Sequence, residues 1–281
     1  MIKDIKIEQN RSESKSNHFR EKLLSGLPVV ENQYLLAGMP TTVLEGGKGL
    51  PLILLHGPGE SAIWWMRVIP ELVSHYQVIA PDLPGHGASG WPEEVPDADH
   101  VLSWLSELID NTCADPPVLI GHVLGGAIAT RFAIKAPKKL AHLIVVDSLG
   151  LASFRPAPLF AFELLRFMIR PNEKSYLRFL PQCMYNVNEL SSKMGKMGTP
   201  KISKNELATI HVPVTLIWGR HDRANRLSIA AKASKRFGWP LHIIENCRDD
   251  PKLEQPNDFI KAIQAAIADT RRVETENVKN N

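Results

Sequence analysis

Short apolar runs, rich in β-branched residues, alternate along this chain with stretches of helical spacing, and that alternation most narrows the folds open to it. The runs are PLILLHG (51–57), YQVIAPD (76–82), PPVLIGH (116–122), LAHLIVVDS (140–148), VPVTLIWG (212–219) and LHIIEN (241–246). Continuous apolarity, rather than strict alternation with polar residues, marks strands covered on both faces. Between them, residues 62–75, 100–112, 125–136, 228–237 and 257–270 repeat apolar side chains at helical spacing, the first despite Pro70. Repeated strand–helix–strand order predicts a mostly parallel, doubly wound sheet with helices on both faces. An opening hairpin is expected from PVVENQYLLAG (28–38) and PTTVLEGG (40–47).

The alternation stops between about Leu151 and Ile210, where PLFAFELLRFMIR and KSYLRFLPQCMY read as helices rich in aromatics. The expected organisation is a polar N-terminal arm (1–26), an α/β core (27–151 and 211–270), a helical insertion (152–210) and a polar C-terminal tail (271–281). Thirty-three basic against 30 acidic side chains leave a net charge of +3, too balanced to call for nucleic acid. No run of about 18 apolar residues is present to span a bilayer, and the first 20 residues lack the apolar centre of a secretion signal. Three scattered cysteines, Cys113, Cys183 and Cys247, fit neither a disulfide framework nor a cysteine-based zinc site and suit a cytoplasmic protein.

Five signatures follow one another in order. They are His56-Gly57-Pro58-Gly59, Asp82-Leu83-Pro84-Gly85-His86-Gly87-Ala88-Ser89, Gly121-His122-Val123-Leu124-Gly125-Gly126, Trp218-Gly219-Arg220-His221-Asp222, and the stretch from Asn246 to Pro256 that ends Glu254-Gln255-Pro256. Together they resemble the α/β-hydrolase superfamily from about residue 27 to 270. The resemblance implies an α/β-hydrolase fold, with the 152–210 insertion as a cap over the substrate pocket. It also implies a nucleophile on a sharp strand-to-helix turn, a histidine base, a carboxylate that orients it, and two backbone N–H groups for the oxyanion.

Laid onto this chain, the nucleophile slot holds Val123, whose isopropyl group has no lone pair with which to attack. If that turn keeps the family's strained backbone, a β-branched residue there costs on the order of 1–3 kcal/mol; Gly121, Gly125 and Gly126 lead us to expect that the turn persists. Counting back from Glu254 and Pro251 puts Asp249 in the base slot and Arg248 where a glycine is usual. One oxyanion slot falls on Pro58, which has no N–H, and the other on Leu124. The acid slot, Asp222, matches the family. Asp222 and Asp249 should lie close together, where like charge would raise one pKa or recruit a cation, and Arg220 or Arg248 could neutralise them.

From these residues the sequence reading is of a protein without the standard nucleophile and base. It leans away from an enzyme and toward a pseudo-hydrolase that binds a small apolar or carbonyl-bearing ligand, or a protein partner, with no cofactor and no metal. The expected pocket residues are Gly57, His122, Trp64, Trp65 and Phe160. Two alternatives stand beside it. One is an enzyme of altered chemistry (lyase, isomerase or cyclase) that uses Asp222 or Asp249. The other is an ester or lactone hydrolase with a relocated nucleophile, such as Ser61 or Cys247.

Overall fold

The computed structural model describes residues 20–90, 96–148, 151 and 202–279, with the backbone alone from 271 onward. Eight strands form one sheet: β1 (Val30–Leu36), β2 (Met39–Gly46), β3 (Pro51–Leu55), β4 (Gln77–Pro81), β5 (Val118–His122), β6 (His142–Val146), β7 (Val214–Gly219) and β8 (Leu241–Ile244). Their spatial order is β1-β2-β4-β3-β5-β6-β7-β8. The β1–β2 and β2–β4 pairs are antiparallel, and every pairing from β4 to β8 is parallel. This is the mostly parallel, doubly wound sheet that the alternation predicts.

Four longer helices cover the sheet: α1 (Ala98–Thr112), α2 (Leu124–Lys135), α3 (Leu227–Phe237) and α4 (Pro256–Lys279). Successive side chains of a strand point to opposite faces, so β3 feeds two cores. Ile53 and Leu55 join Trp104, Leu108, Ile128 and Phe132 of α1 and α2. Leu52 and Leu54 join Ile63, Trp65, Phe259 and Ile263 on the other face. All five residues of β3 are buried, as are all five of β5 and of β6.

Residues 62–75 do not form the single helix that their spacing predicts. They split into a 3-10 turn (Ala62–Trp65) and one α-turn (Ile69–Leu72). Pro70 stands in the first turn of the second piece, where its missing N–H has no partner to lose, whereas inside a continuous helix it would break a bond. The described parts of the polar ends are ordered against the core or helical. Residues 20–24 are helical, and Arg20 pairs with Asp82 at 3.0 Å and Glu31 at 2.6 Å. The C-terminal tail continues α4 as far as Lys279. The predicted cap from 152 to 201 lies outside the described residues; after it, Ile202 and Leu207 return to the core.

The chain runs from β3 outward to β4 and then crosses back to place β5 on the other side of β3. Such a reversal opens a crevice at the carboxyl ends of the two strands. The loops after β3, β5, β6, β7 and β8 all reach this end of the sheet.

Candidate functional site

β5 ends at His122, and α2 begins at Leu124; the single residue between them, Val123, sits at φ 46° and ψ −101°. For a β-branched residue this backbone is strained. The surroundings leave it no choice. The Val123 N–H donates to the carbonyl of Val146 at 3.0 Å, and its own carbonyl accepts from Ala127 at 3.2 Å. A methyl group on Gly121 would collide with the carbonyl of Gly125, and one on Gly125 with the carbonyl of Leu55. The expected sharp turn therefore persists, with half-buried hydrocarbon at its apex. Leu124 opens α2, and first-turn N–H groups have no partner inside their helix.

The loop after β3 carries an acidic side chain that the sequence reading passed over. Glu60 folds back so that the N–H of Gly57 donates to its carboxylate at 2.7 Å. Pro58 is half-buried beside it. His56 holds the base of the loop: its Nε2 accepts from the N–H of Leu83 at 2.9 Å, so Nδ1 bears the hydrogen and donates to the Gly57 carbonyl at 2.8 Å. Burial pushes the His56 ring down to about 3, with His86 adding to the fall. Both rings are therefore neutral scaffold at ordinary pH, as burial also takes His86 down to about 4.

A cluster of carboxyl groups gathers at the ends of β6, β7 and β8. Asp147 follows β6 at φ 41°. Its Oδ1 accepts from the N–H of Gly219 at 3.0 Å. Asp222 accepts the N–H groups of Ala224 at 2.7 Å and Asn225 at 2.8 Å, both on Oδ1. The remaining oxygens, Oδ2 of each residue, are buried and take no N–H or O–H among the described residues, while the two carboxyls lie within hydrogen-bonding reach of one another. A proton on one carboxyl lets it donate to the other. Burial, then the charge of Asp222, raises Asp147 well above the usual carboxylate range. Burial raises Asp222 to about 7, and the Asp249 charge adds to the rise against the pull of the Asn225 N–H. Asp249 thus stands near both, as the sequence reading expects of Asp222 and Asp249. Its loop is drawn against β7 so tightly that a methyl group on Gly219 would strike the carbonyl of Arg248. Neither arginine neutralises the group as imagined: Arg220 pairs with Glu245 in solvent, and Arg248 is exposed.

His122 joins the elbow to this loop. Its Nε2 donates to the carbonyl of Asp249 at 2.8 Å. On its other side Lys252, fully buried, places Nζ 2.9 Å from Nδ1. Burial by itself would lower the Lys252 ammonium, but Asp250 and Glu60 outweigh it and raise it. Burial would likewise raise Glu60, yet Lys252 and His122 hold it well below the usual range.

Other expected residues take different places. Trp64 and Trp65 are buried in the core on the α4 face, where Trp65 stacks on Phe259 at 6.1 Å. Phe160 lies outside the described residues. Ser61 is buried, and among the described residues its Oγ makes no hydrogen bond to a base. Burial, with Glu254 and Asp147 nearby, pushes the Cys247 thiol up, away from the reactive thiolate. His221 is exposed while its neighbour Asp222 turns inward. Among the described residues no group of three or more His, Cys, Asp or Glu side chains could hold a metal ion, and no helix is long and apolar enough to cross a membrane. Asp147, Glu60 and Lys252 are the members that sequence reasoning missed. For Asp147 a signal was present, since a carboxylate at the carboxyl end of a buried parallel strand points to the crevice.

Residues 52–262 match a family model described as the alpha/beta hydrolase family. A 2-hydroxy-6-oxo-2,4-heptadienoate hydrolase of Pseudomonas putida is 35% identical over 267 residues, which cover 83% of this chain and 95% of the relative. A pimeloyl-[acyl-carrier protein] methyl ester esterase of Aeromonas hydrophila is 37% identical over 258 residues, 80% of this chain and 98% of the relative. In fold, the carboxylesterase CesB of Bacillus subtilis superposes with a TM-score of 0.77 at 19% identity, over 92% of this chain and 98% of that one. These relatives overturn the expectation that leaned away from an enzyme. Proteins more than one-third identical over four-fifths of the chain are named as a hydrolase and an esterase, although Val123, Pro58 and Asp249 occupy the slots of the usual nucleophile, oxyanion donor and base.

Proposed function

As the chain belongs to the alpha/beta hydrolase family, we propose that it is an enzyme that adds water to an ester or ketone carbonyl by acid–base chemistry, without a covalent intermediate on residue 123. The observation that carries this reading is the meeting of Asp147, Asp222 and Asp249 beside the elbow, with one carboxyl poised to hold a proton near neutral pH. The names of both relatives denote hydrolysis, one of an oxo compound and one of a methyl ester. Each substrate presents a carbonyl.

In this reading the Asp249 carboxylate takes a proton from water as the water oxygen bonds to the carbonyl carbon. The oxygen of that carbonyl becomes the oxyanion and accepts from the Leu124 N–H. As the intermediate collapses, the bond to the leaving group breaks, and the leaving group takes the proton held between Asp222 and Asp147. Loss of a proton from Asp249 and gain of one by the acid pair, through solvent, restore the site. A group that titrates near 7 suits such a donor, because an acid is most effective when its pKa lies near the working pH. Val123 supplies an apolar wall in place of an attacking oxygen.

The test offers p-nitrophenyl esters and a vinylogous 1,5-diketone to the purified chain and follows turnover together with intact-protein mass. Turnover without an acyl adduct, and without fluorophosphonate labelling, is expected. Asp249→Asn and Asp222→Asn should each slow it by about 10²–10⁴-fold. An acyl adduct on any residue, or wild-type rates in both variants, overturns the reading.

A further inference from the structure

Lys252 has three ammonium hydrogens and three acceptors around it: Asp250 Oδ1 at 2.9 Å, His122 Nδ1 at 2.9 Å and Glu60 Oε1 at 3.3 Å. None of its surface reaches solvent, and the Trp65 ring lies 5.4 Å from Nζ to its centroid. Such a charge is costly to bury, so its partners matter more than its net contribution to stability.

The hydrogen bonds determine the state of the His122 ring. The Asp249 carbonyl can only accept, so Nε2 must carry a hydrogen. An ammonium can only donate, so Nδ1 must present its lone pair to Lys252. Glu60 Oε2 also approaches Nδ1, at 3.4 Å, and would draw a proton there if the ammonium were absent. With it in place, the ring is the neutral Nε2–H form, aimed at the backbone of residue 249.

We propose that Lys252 is a positioning residue: by locking the His122 tautomer it makes the ring hold the Asp249 carbonyl, which sets where the Asp249 carboxylate stands against the Asp147–Asp222 pair. The same ammonium clamps Glu60, which in turn accepts the Gly57 N–H. One buried charge thereby joins the loop after β3, the elbow and the loop after β8. The catalytic consequence rests on the function proposed above; the ring state does not.

Ring-nitrogen NMR of the full chain at pH 7 tests it, with the His122 signals assigned by their loss in His122→Asn. Wild type should show Nε2 protonated and Nδ1 bare. In Lys252→Met, Nδ1 faces Glu60 without its donor and should take up a proton. Lys252→Gln, which keeps an N–H donor, should retain the wild-type ring. On p-nitrophenyl esters the Met variant should lose roughly tenfold in kcat with KM little changed, since a displaced catalytic group costs rate more than binding, and the Gln variant should recover part of that loss. A wild-type ring found doubly protonated, or with Nε2 bare, overturns the proposal; so does a folded Met variant with unchanged ring signals and kcat. If Lys252→Met does not fold, the wild-type and Lys252→Gln rings decide the matter. If the ring behaves as described but Asp249→Asn hydrolyses normally, the proposed function falls and the positioning of residue 249 stands.

Discussion

Two corners of one crevice solve the same problem in opposite ways. At the ends of β3 and β5, unlike charges meet: the half-buried Glu60 and Asp250 face the buried Lys252 ammonium. At the ends of β6 and β7, buried charges meet their like: Asp147 faces Asp222, with Asp249 behind. Charge at the first corner is offset by a side chain and at the second by a proton. A side chain is permanent, whereas a proton can be given up and regained. The first arrangement therefore suits a fixed support and the second a reactive group.

The largest expected effect separates the corners by activity. Asp249→Asn should lower turnover by about 10²–10⁴-fold with little change in unfolding midpoint, whereas Glu60→Gln should act mainly on stability. Equal kinetic losses in the two variants would erase the distinction.

Next comes stability at the paired corner. Lys252→Met takes the ammonium from the half-buried carboxylates of Glu60 and Asp250, a loss that a protonated His122 offsets only in part, and should cost about 3–5 kcal/mol by denaturant unfolding. Adding Glu60→Gln should return part of that loss, because one of the stranded charges is then gone. Simple addition of the two single-variant losses would show that the groups do not interact.

The corners should also respond to pH with opposite signs. Asp222 is raised in the folded chain to about 7, so its contribution is full below the ordinary carboxylate value of about 4 and is lost as pH rises through about 7. Glu60 is held low, so its contribution is present above the ordinary value of about 4 and is lost as pH falls toward the folded one. Melting temperature against pH should therefore flatten on the neutral side in Asp147→Asn, where an amide can donate to Asp222, and on the acid side in Glu60→Gln. The reverse assignment of the two limbs would contradict the structure.

The smallest effect lies between the corners, at the elbow. Glycine ordinarily costs about 0.5–1 kcal/mol more than alanine within regular structure. At position 123, where φ is 46°, Val123→Gly should instead be the more stable by about 1 kcal/mol. Chemical denaturation of the pair decides it, and an alanine variant that is the more stable would mean that the turn relaxes.

Strands β3 to β7 could be read directly, because a strand covered on both faces must be apolar nearly throughout; β8, read the same way, is an edge strand whose Ile243 is exposed. The elbow was legible for a related reason: only glycine fits at 121 and 125 where backbones press together. Asp222 and Asp249 could be placed from their motifs. Lys252 and Glu60 could not, since each alone reads as an exposed charge, and 192 residues separate them. The broken helix at 62–75 was half-legible, since Pro70 was visible but not where the segment would divide.

Taken alone, the order of residues determined the layered sheet, the sharp turn after β5 and the hydrocarbon at its apex, all of which follow from local sterics and from the period of apolar side chains. Folding in three dimensions decided which charges would face each other away from water. The energy of an ion depends on burial and on neighbours a few ångströms away, and for His122 and Lys252 those neighbours lie 130 residues apart along the chain.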